Sequence, residues 1–225
     1  MNKKLLVAAL FAASTTGAFA QSAFEGAYGQ VGIGYENVSP KLSNGSLTAA
    51  GTTYPYTTSI SSSNSFTGNV GLGYTFAINK DYTLGIGAEY SPIEGSSANY
   101  TYSNPNLGSA TGSYKKTSSY NVFLSPGVVV NKDGLAYAKI GFTGATIKDT
   151  EGSTSTNTNY TGYSLGLGYK QIIQGGLYGF GEVNYMSYGN QTSNTSGTTG
   201  GTAYKTTLTS SANAFNAVVG IGYKF

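Results

Sequence analysis

The feature that most constrains this chain is a repeated alternation of apolar or aromatic residues with small or polar ones. It is clearest in the last ten residues, 216–225, which end on Phe225. Successive side chains of a β-strand point to opposite faces, so this pattern predicts a strand with one apolar face. That face carries Ala217, Val219, Ile221, Tyr223 and Phe225, and the other carries Asn216, Val218, Gly220, Gly222 and Lys224.

Eight such stretches occur along the chain and predict an eight-stranded, antiparallel, up-and-down β-barrel. The connections between them alternate between three short turns and four long loops, which places both ends of the barrel on the short-turn side. The predicted strands are 27–36, 66–76, 82–90, 119–130, 136–143, 162–170, 177–185 and 215–225. The short turns are 77–81, 131–134 and 174–176, and the long loops are about 37–64, 92–116, 147–159 and 189–212.

Charge is sparse, and this decides which face of the predicted barrel points outward. Only 9% of residues are charged, compared with about 25% in soluble domains. A water-soluble barrel would place its apolar face inside and its charges outside. The scarcity of charge favours the opposite arrangement, with the apolar face in lipid and a Gly, Ser, Thr and Asn face inside. Aromatic residues also bracket several apolar faces, as in membrane barrels: Phe66 and Phe76, Tyr82 and Tyr90, Tyr163 and Tyr169, Phe215 and Phe225.

The first 20 residues have the pattern of a secretory signal peptide. Lys3 and Lys4 precede an apolar run over 5–13, and Ala18-Phe-Ala20 precedes Gln21. The apolar run is too short to span a bilayer as a helix. We therefore expect 1–20 to be removed and 21–225 to form a single barrel domain.

The strand pattern, the signal peptide and a terminal strand ending on Tyr223 and Phe225 resemble the small bacterial outer-membrane barrels of the OmpA/OmpX and opacity-protein type. The resemblance covers 24–225. It implies a location in the bacterial outer membrane, with extracellular loops and both termini in the periplasm. The partners it implies are outer-membrane lipid and the barrel-assembly machinery, for which Phe225 and Tyr223 would form the assembly signal.

The predicted inward face carries three acids and three bases, a balance that predicts pairing. An unpaired charge in a dry lumen is costly. We expect Glu182 to lie against Lys139, as a central pair, or against Lys170 lower down. Two interpretations of these charges remain open: packing of a narrow interior, or a gate in a narrow pore. The interior ion-pair candidates are Glu36, Glu89, Glu182, Lys139, Lys170 and Lys224.

The long loops are rich in Ser, Thr, Asn, Gly and Tyr, the composition of antibody contact surfaces and also of solvated cover. A structural or adhesin-like surface role, with a host or environmental surface ligand, is the favoured function. A narrow passive channel gated by the interior Glu and Lys pairs is the alternative. The candidate loop contacts are Tyr54, Tyr56, Tyr100, Tyr102, Tyr114, Tyr160 and Tyr204.

Residue types that are missing weigh against several chemistries. The chain has no His, so a Ser nucleophile would lack its usual general base, and we expect no catalytic residues. Without His or Cys, and with acids mostly isolated in sequence, we expect no metal site and no cofactor. All the basic residues are Lys and they form no basic stripe, so a nucleic-acid partner is not expected.

Overall fold

The computed structural model describes residues 22–104, 108–199 and 201–225. The predicted signal peptide, 1–20, lies outside the described residues. No helix long and apolar enough to cross a membrane occurs in the described part. The described strands are β1 (Gly26–Ala49), β2 (Thr52–Pro55), β3 (Thr57–Ile60), β4 (Ser63–Ala77), β5 (Tyr82–Ser91), β6 (Ala98–Asn104), β7 (Gly108–Asn131), β8 (Gly134–Glu151), β9 (Thr154–Gln174), β10 (Leu177–Thr199) and β11 (Thr202–Lys224).

The predicted eight-stranded antiparallel barrel is confirmed. Strands β1, β4, β5, β7, β8, β9, β10 and β11 pair antiparallel in that order, and β11 pairs with β1 to close the ring. At the closing seam Tyr28 lies opposite Lys224 and Tyr35 lies opposite Ala217. Closure pairs the backbone of every barrel strand on both sides, which a sheet surrounded by lipid requires.

The three short connections lie at one end of the barrel, called here the turn end. Local hydrogen bonds hold two of these turns. The side-chain oxygen of Asn79 accepts the N–H groups of Asp81 and Tyr82, and that of Asn131 accepts the N–H of Asp133. Asn is favoured in turns because its side chain bonds backbone groups two residues on. The backbone N–H of Phe225 bonds to Ala27 O, which places both ends of the barrel at this end.

The four long connections differ from the prediction, because most of their length is β-strand. Strands β1 and β11 stay paired as far as Ala49 opposite Tyr204, and β8 and β9 as far as Glu151 opposite Thr154. These segments are rich in Thr, Ser and Tyr, and they carry too few apolar residues at alternate positions for apolar alternation to detect them. We call this second half of the molecule the extension, comprising 38–62, 92–104, 108–118, 145–161, 187–199 and 201–214.

The apolar face of the barrel points outward, as predicted. Leu72, Ile86 and Leu167 are 68%, 49% and 63% exposed, whereas Ser164 is buried. Next to the extension, each of the eight barrel strands carries one exposed aromatic residue, so that a complete ring marks one boundary of the membrane-facing belt. This aromatic ring consists of Tyr35, Phe66, Tyr90, Tyr120, Phe142, Tyr163, Tyr185 and Phe215.

The inner face contains more aromatic residues than the predicted Gly, Ser, Thr and Asn lining. The rings fit because glycines face them from neighbouring strands. A Cβ on Gly168 would overlap the ring of Tyr137, and a Cβ on Gly222 would overlap the ring of Tyr178. These glycines therefore provide the space in which the lumen is packed. The buried inward aromatic residues of the barrel are Tyr28, Phe123, Tyr137, Tyr178 and Phe180.

Candidate functional site

Three charged side chains meet at the middle of the lumen. Lys139 Nζ on β8 lies 2.7 and 2.8 Å from the two carboxylate oxygens of Glu89 on β5, and 2.9 Å from Glu182 Oε2 on β10. The side chains of Lys139 and Glu182 are each 1% exposed. The structure therefore places Glu182 against Lys139, and adds Glu89 to the pair. We call these three residues the central cluster.

Polar neighbours satisfy the carboxylates of the central cluster. The Tyr137 hydroxyl donates to Glu182 Oε1 at 2.6 Å, and the Gln30 amide donates to Glu89 Oε1 at 3.3 Å. The Tyr178 hydroxyl in turn donates to Gln30 Oε1 at 3.0 Å. Buried ion pairs are tolerated only when further hydrogen bonds complete their geometry, and this network supplies such bonds.

Lys170 lies below the central cluster, on the side of the turn end, and its surroundings are aromatic. Its Nζ is 3.8 Å from the ring centroid of Tyr28, 4.9 Å from Tyr178 and 5.4 Å from Tyr137. No ion pair of Lys170 occurs among the described residues. Cation–π attraction stabilises a desolvated ammonium, and the central cluster one layer away carries one excess negative charge. Lys170 thus balances the cluster without touching its carboxylates.

A second buried ion pair joins Glu36 on β1 to Lys116 on β7, at the base of the extension. The prediction placed Lys116 in a loop, so it missed this partner. The register of β7 against β8 shifts between Lys116 and Ser118. Because of this bulge, even-numbered residues of β7 point inward up to Lys116 and odd-numbered residues point inward beyond it. Simple alternation counted from β7 therefore gives the wrong face for Lys116. Lys224, the remaining predicted interior charge, is half-buried near the turn end.

Polar side chains enclose a cavity of about 40 Å³ between the two charged layers. One water molecule needs roughly 10–15 Å³, so the cavity has room for a few. The buried side-chain oxygen of Asn69 has no hydrogen-bond partner among the described residues and faces this space, as expected for a hydrated chamber. Its polar lining includes Thr67, Asn69, Ser91, Asn121, Thr143 and Asn216.

Phe24 closes the lumen at the turn end. Residues 22–25 form a turn in which Glu25 N bonds Ser22 O, and the chain enters β1 through Gly26 with a φ of +132°. Few residues other than glycine adopt that backbone conformation. The buried Phe24 ring packs with Leu135 and Tyr137. The two cavities nearest this ring measure only about 10 Å³ each, so the space is almost filled.

Two of the seven tyrosines predicted as loop contacts are buried. Tyr114 and Tyr160 are buried in an apolar core inside the extension, where they pack with Val38, Ile147 and Tyr188. Their hydroxyls donate to Ser61 O and bond Ser210 Oγ, each at 2.6 Å. These two residues therefore stabilise the extension and do not lie on its surface. The other five, Tyr54, Tyr56, Tyr100, Tyr102 and Tyr204, are half-buried.

The predicted assembly residues lie on the outer surface at the turn end. Tyr223 and Phe225 are 51% and 79% exposed, and their ring centroids are 5.4 Å apart. Recognition of this pair by the assembly machinery remains a prediction.

No protein-family model matches the sequence, and a search of curated proteins finds no match. Solved structures are similar. The outer membrane protein OprG of Pseudomonas aeruginosa aligns with a TM-score of 0.58 at 16% identity, covering 91% of this chain and 99% of OprG. Neisserial surface protein A, NspA, aligns with a TM-score of 0.51 at 12% identity, covering 88% of this chain and 97% of NspA. The chain therefore has the fold of the small bacterial outer-membrane β-barrels.

Proposed function

We propose that the protein is an integral outer-membrane barrel that binds a surface ligand through its extension, with the turn end in the periplasm. The observation that carries this proposal is the structure of the extension itself. Beyond the aromatic ring the strands continue as paired ribbons around an apolar core of their own, containing Val38, Ile147 and Tyr188. Ordering a chain outside the membrane costs entropy, which supports a role for a defined surface there.

The filled lumen also supports a surface role. Phe24, the central cluster and the Glu36–Lys116 pair occupy successive levels of the barrel. Three cavities within the described part of the lumen measure about 10, 10 and 40 Å³. An interior of eight strands can be filled by side chains, and such packing leaves little room for a solute. NspA, which has a similar fold, is described as a surface protein.

A narrow gated channel is the second candidate, and the polar cavity between the two charged layers favours it. A solute could cross only if both ion-pair layers opened and Phe24 moved. Planar-bilayer recordings separate the two functions, because the surface role predicts almost no current through the parent protein. Sustained unitary currents from purified protein would favour the channel.

Trimming the extension tests the surface role directly. Tyr188 and Ala212 lie opposite each other on β10 and β11, so residues 190–210 can be replaced by a short Asn-Gly hairpin turn. Cells producing the trimmed protein should lose adhesion to a panel of host-cell and matrix surfaces while membrane levels stay unchanged. A matched control replaces the exposed turn at 152–153 with Asn-Gly, which keeps the ribbons. Equal adhesion of parent and trimmed cells would contradict the surface role.

A further inference from the structure

Three tyrosines and two carboxylates lie together in the extension and form a group that we call the tyrosine–carboxylate cluster. The rings of Tyr56 and Tyr102 meet edge to face at 5.6 Å, and those of Tyr100 and Tyr102 stack at 6.0 Å. Ile147, Asp149 and Glu151 occupy every second position at the end of β8, so all three side chains lie on the inner face of that strand. Glu151 lies beside Tyr102, and both carboxylates lie close enough to Tyr100 to influence it electrostatically.

The two carboxylates of this cluster have no cationic partner among the described residues. The nearby lysines are engaged elsewhere or face away. Lys115 forms an ion pair with Glu94 on the outer face. Lys148 lies on the opposite face of β8 from Asp149, where its charge attracts Glu94. The cluster therefore combines negative charge with aromatic faces and lacks the cation that both would attract.

We propose that the tyrosine–carboxylate cluster binds an organic ammonium group. Faces of tyrosine rings attract ammonium cations, and the attraction grows when the site is partly desolvated. A carboxylate on one side adds direct charge neutralisation. Either the side chain of a trimethylated lysine on a partner protein or a small choline-like amine could supply this chemistry. The inference rests on the proposed surface-binding function and names the group that the extension recognises.

The environment of Asp149 makes binding dependent on pH. Burial raises the pKa of Asp149 to about 6. The titratable groups facing it are Tyr100 from β6 and Tyr160 from β9, with Tyr114 opposite it on β7 and Glu151 on its own strand. Burial, with help from Asp149 and Glu151, raises the pKa of Tyr100 to about 12, so that tyrosine stays neutral over the useful range. Affinity for an ammonium should fall as the pH drops through about 6, because Asp149 becomes neutral.

The test uses the full barrel in detergent micelles and follows the methyl signals of two probes by NMR. One probe is tetramethylammonium chloride, and the other is a short peptide containing trimethyl-lysine. Sodium chloride at the same ionic strength is the blank. Tyr102→Leu and Asp149→Asn should each weaken binding of tetramethylammonium by about fivefold or more. Tyr102→Phe should keep most of the affinity because it retains the ring.

Matched controls separate binding from folding. Tyr82→Leu changes an exposed tyrosine at the start of β5, near the turn end, and Asp133→Asn changes an acid at the same end; neither should alter affinity. Circular dichroism and protease resistance verify that each variant is folded. Binding of both probes would assign the site to ammonium groups presented by proteins, and binding of tetramethylammonium alone would assign it to small amines.

Equal affinity of the parent and a folded Tyr102→Leu, or affinity that is flat between pH 5 and 7.5, would overturn the proposal. That failure is distinguishable from failure of the surface role. If adhesion is lost on trimming 190–210 but is unchanged in Tyr102→Leu, the surface role stands and only the ammonium site is wrong.

Discussion

Removing the cation of the central cluster should destabilise the barrel more than removing one of its anions. Lys139→Met keeps the length of the side chain but leaves Glu89 and Glu182 facing each other without their shared ammonium. Glu182→Gln keeps the shape of the side chain and leaves Lys139 with both oxygens of Glu89, at 2.8 and 2.7 Å. The two variants therefore remove unequal amounts of charge compensation.

The magnitudes follow from these contacts. Breaking a buried ion pair by removing one partner costs about 3–5 kcal/mol of unfolding free energy. Lys139→Met leaves two carboxylates without their cation, so we expect at least that loss. Glu182→Gln loses one charge-assisted hydrogen bond from Lys139 and weakens another from Tyr137. Hydrogen bonds to charged groups contribute roughly 1.5–3 kcal/mol each, so we expect a loss of about 2–3 kcal/mol.

Equilibrium urea unfolding in phospholipid vesicles, followed by tyrosine fluorescence and circular dichroism, measures both losses. The double variant Lys139→Met/Glu182→Gln completes a double-mutant cycle. Its loss of unfolding free energy should be smaller than the sum of the two single losses, because Glu182→Gln removes one of the two carboxylates that Lys139→Met leaves unpaired. Lys132→Met, at an exposed position in a short turn, is the matched control and should change stability little.

Equal losses below about 1 kcal/mol for Lys139→Met and Glu182→Gln would refute this reasoning. Such values are typical of exposed pairs. They would mean that water fills the lumen and screens the charges, and the channel interpretation would gain support.

Three further predictions concern the outer face, the turn end and assembly. Leu72→Lys should cost about 2–4 kcal/mol of unfolding free energy in vesicles, whereas Ile78→Lys, in a short turn at the membrane edge, should cost about 0–1 kcal/mol; equal costs would contradict the outward orientation. Phe24→Ala should speed modification of Thr75→Cys by a water-soluble thiol reagent, while Thr143→Cys, beyond the central cluster, should react at its former rate; unchanged labelling of both would mean that Phe24 does not close the lumen. Deleting Phe225 should lower the amount of protein in the outer membrane of cells but leave refolding in micelles intact, and equal membrane levels would remove the proposed assembly role.

Much of the barrel could be predicted from the sequence because strand faces alternate strictly from residue to residue. Alternation predicts eight strands, the scarcity of charge predicts that the face carrying Leu72 points outward, and the Asn-containing turns at 79 and 131 appear where the pattern breaks. These are local properties, set by backbone geometry and by the side chains of a single strand. The inward placement of Glu89, Lys139 and Glu182 follows from the same rule.

The partners of those inward residues depend on the tertiary structure. Alternation indicates that Lys170 faces inward, but only the stagger of neighbouring strands places it over Tyr28 and away from Glu182. A bulge that the pattern does not reveal turns Lys116 toward Glu36. The extension was missed for a related reason: its strands show little apolar alternation, and pairing between distant segments and a small apolar core hold them together. Sequence alone determined which face of its strand each barrel residue occupies. The register of neighbouring strands and the closure of the barrel are long-range properties, and they determined which residues each side chain contacts.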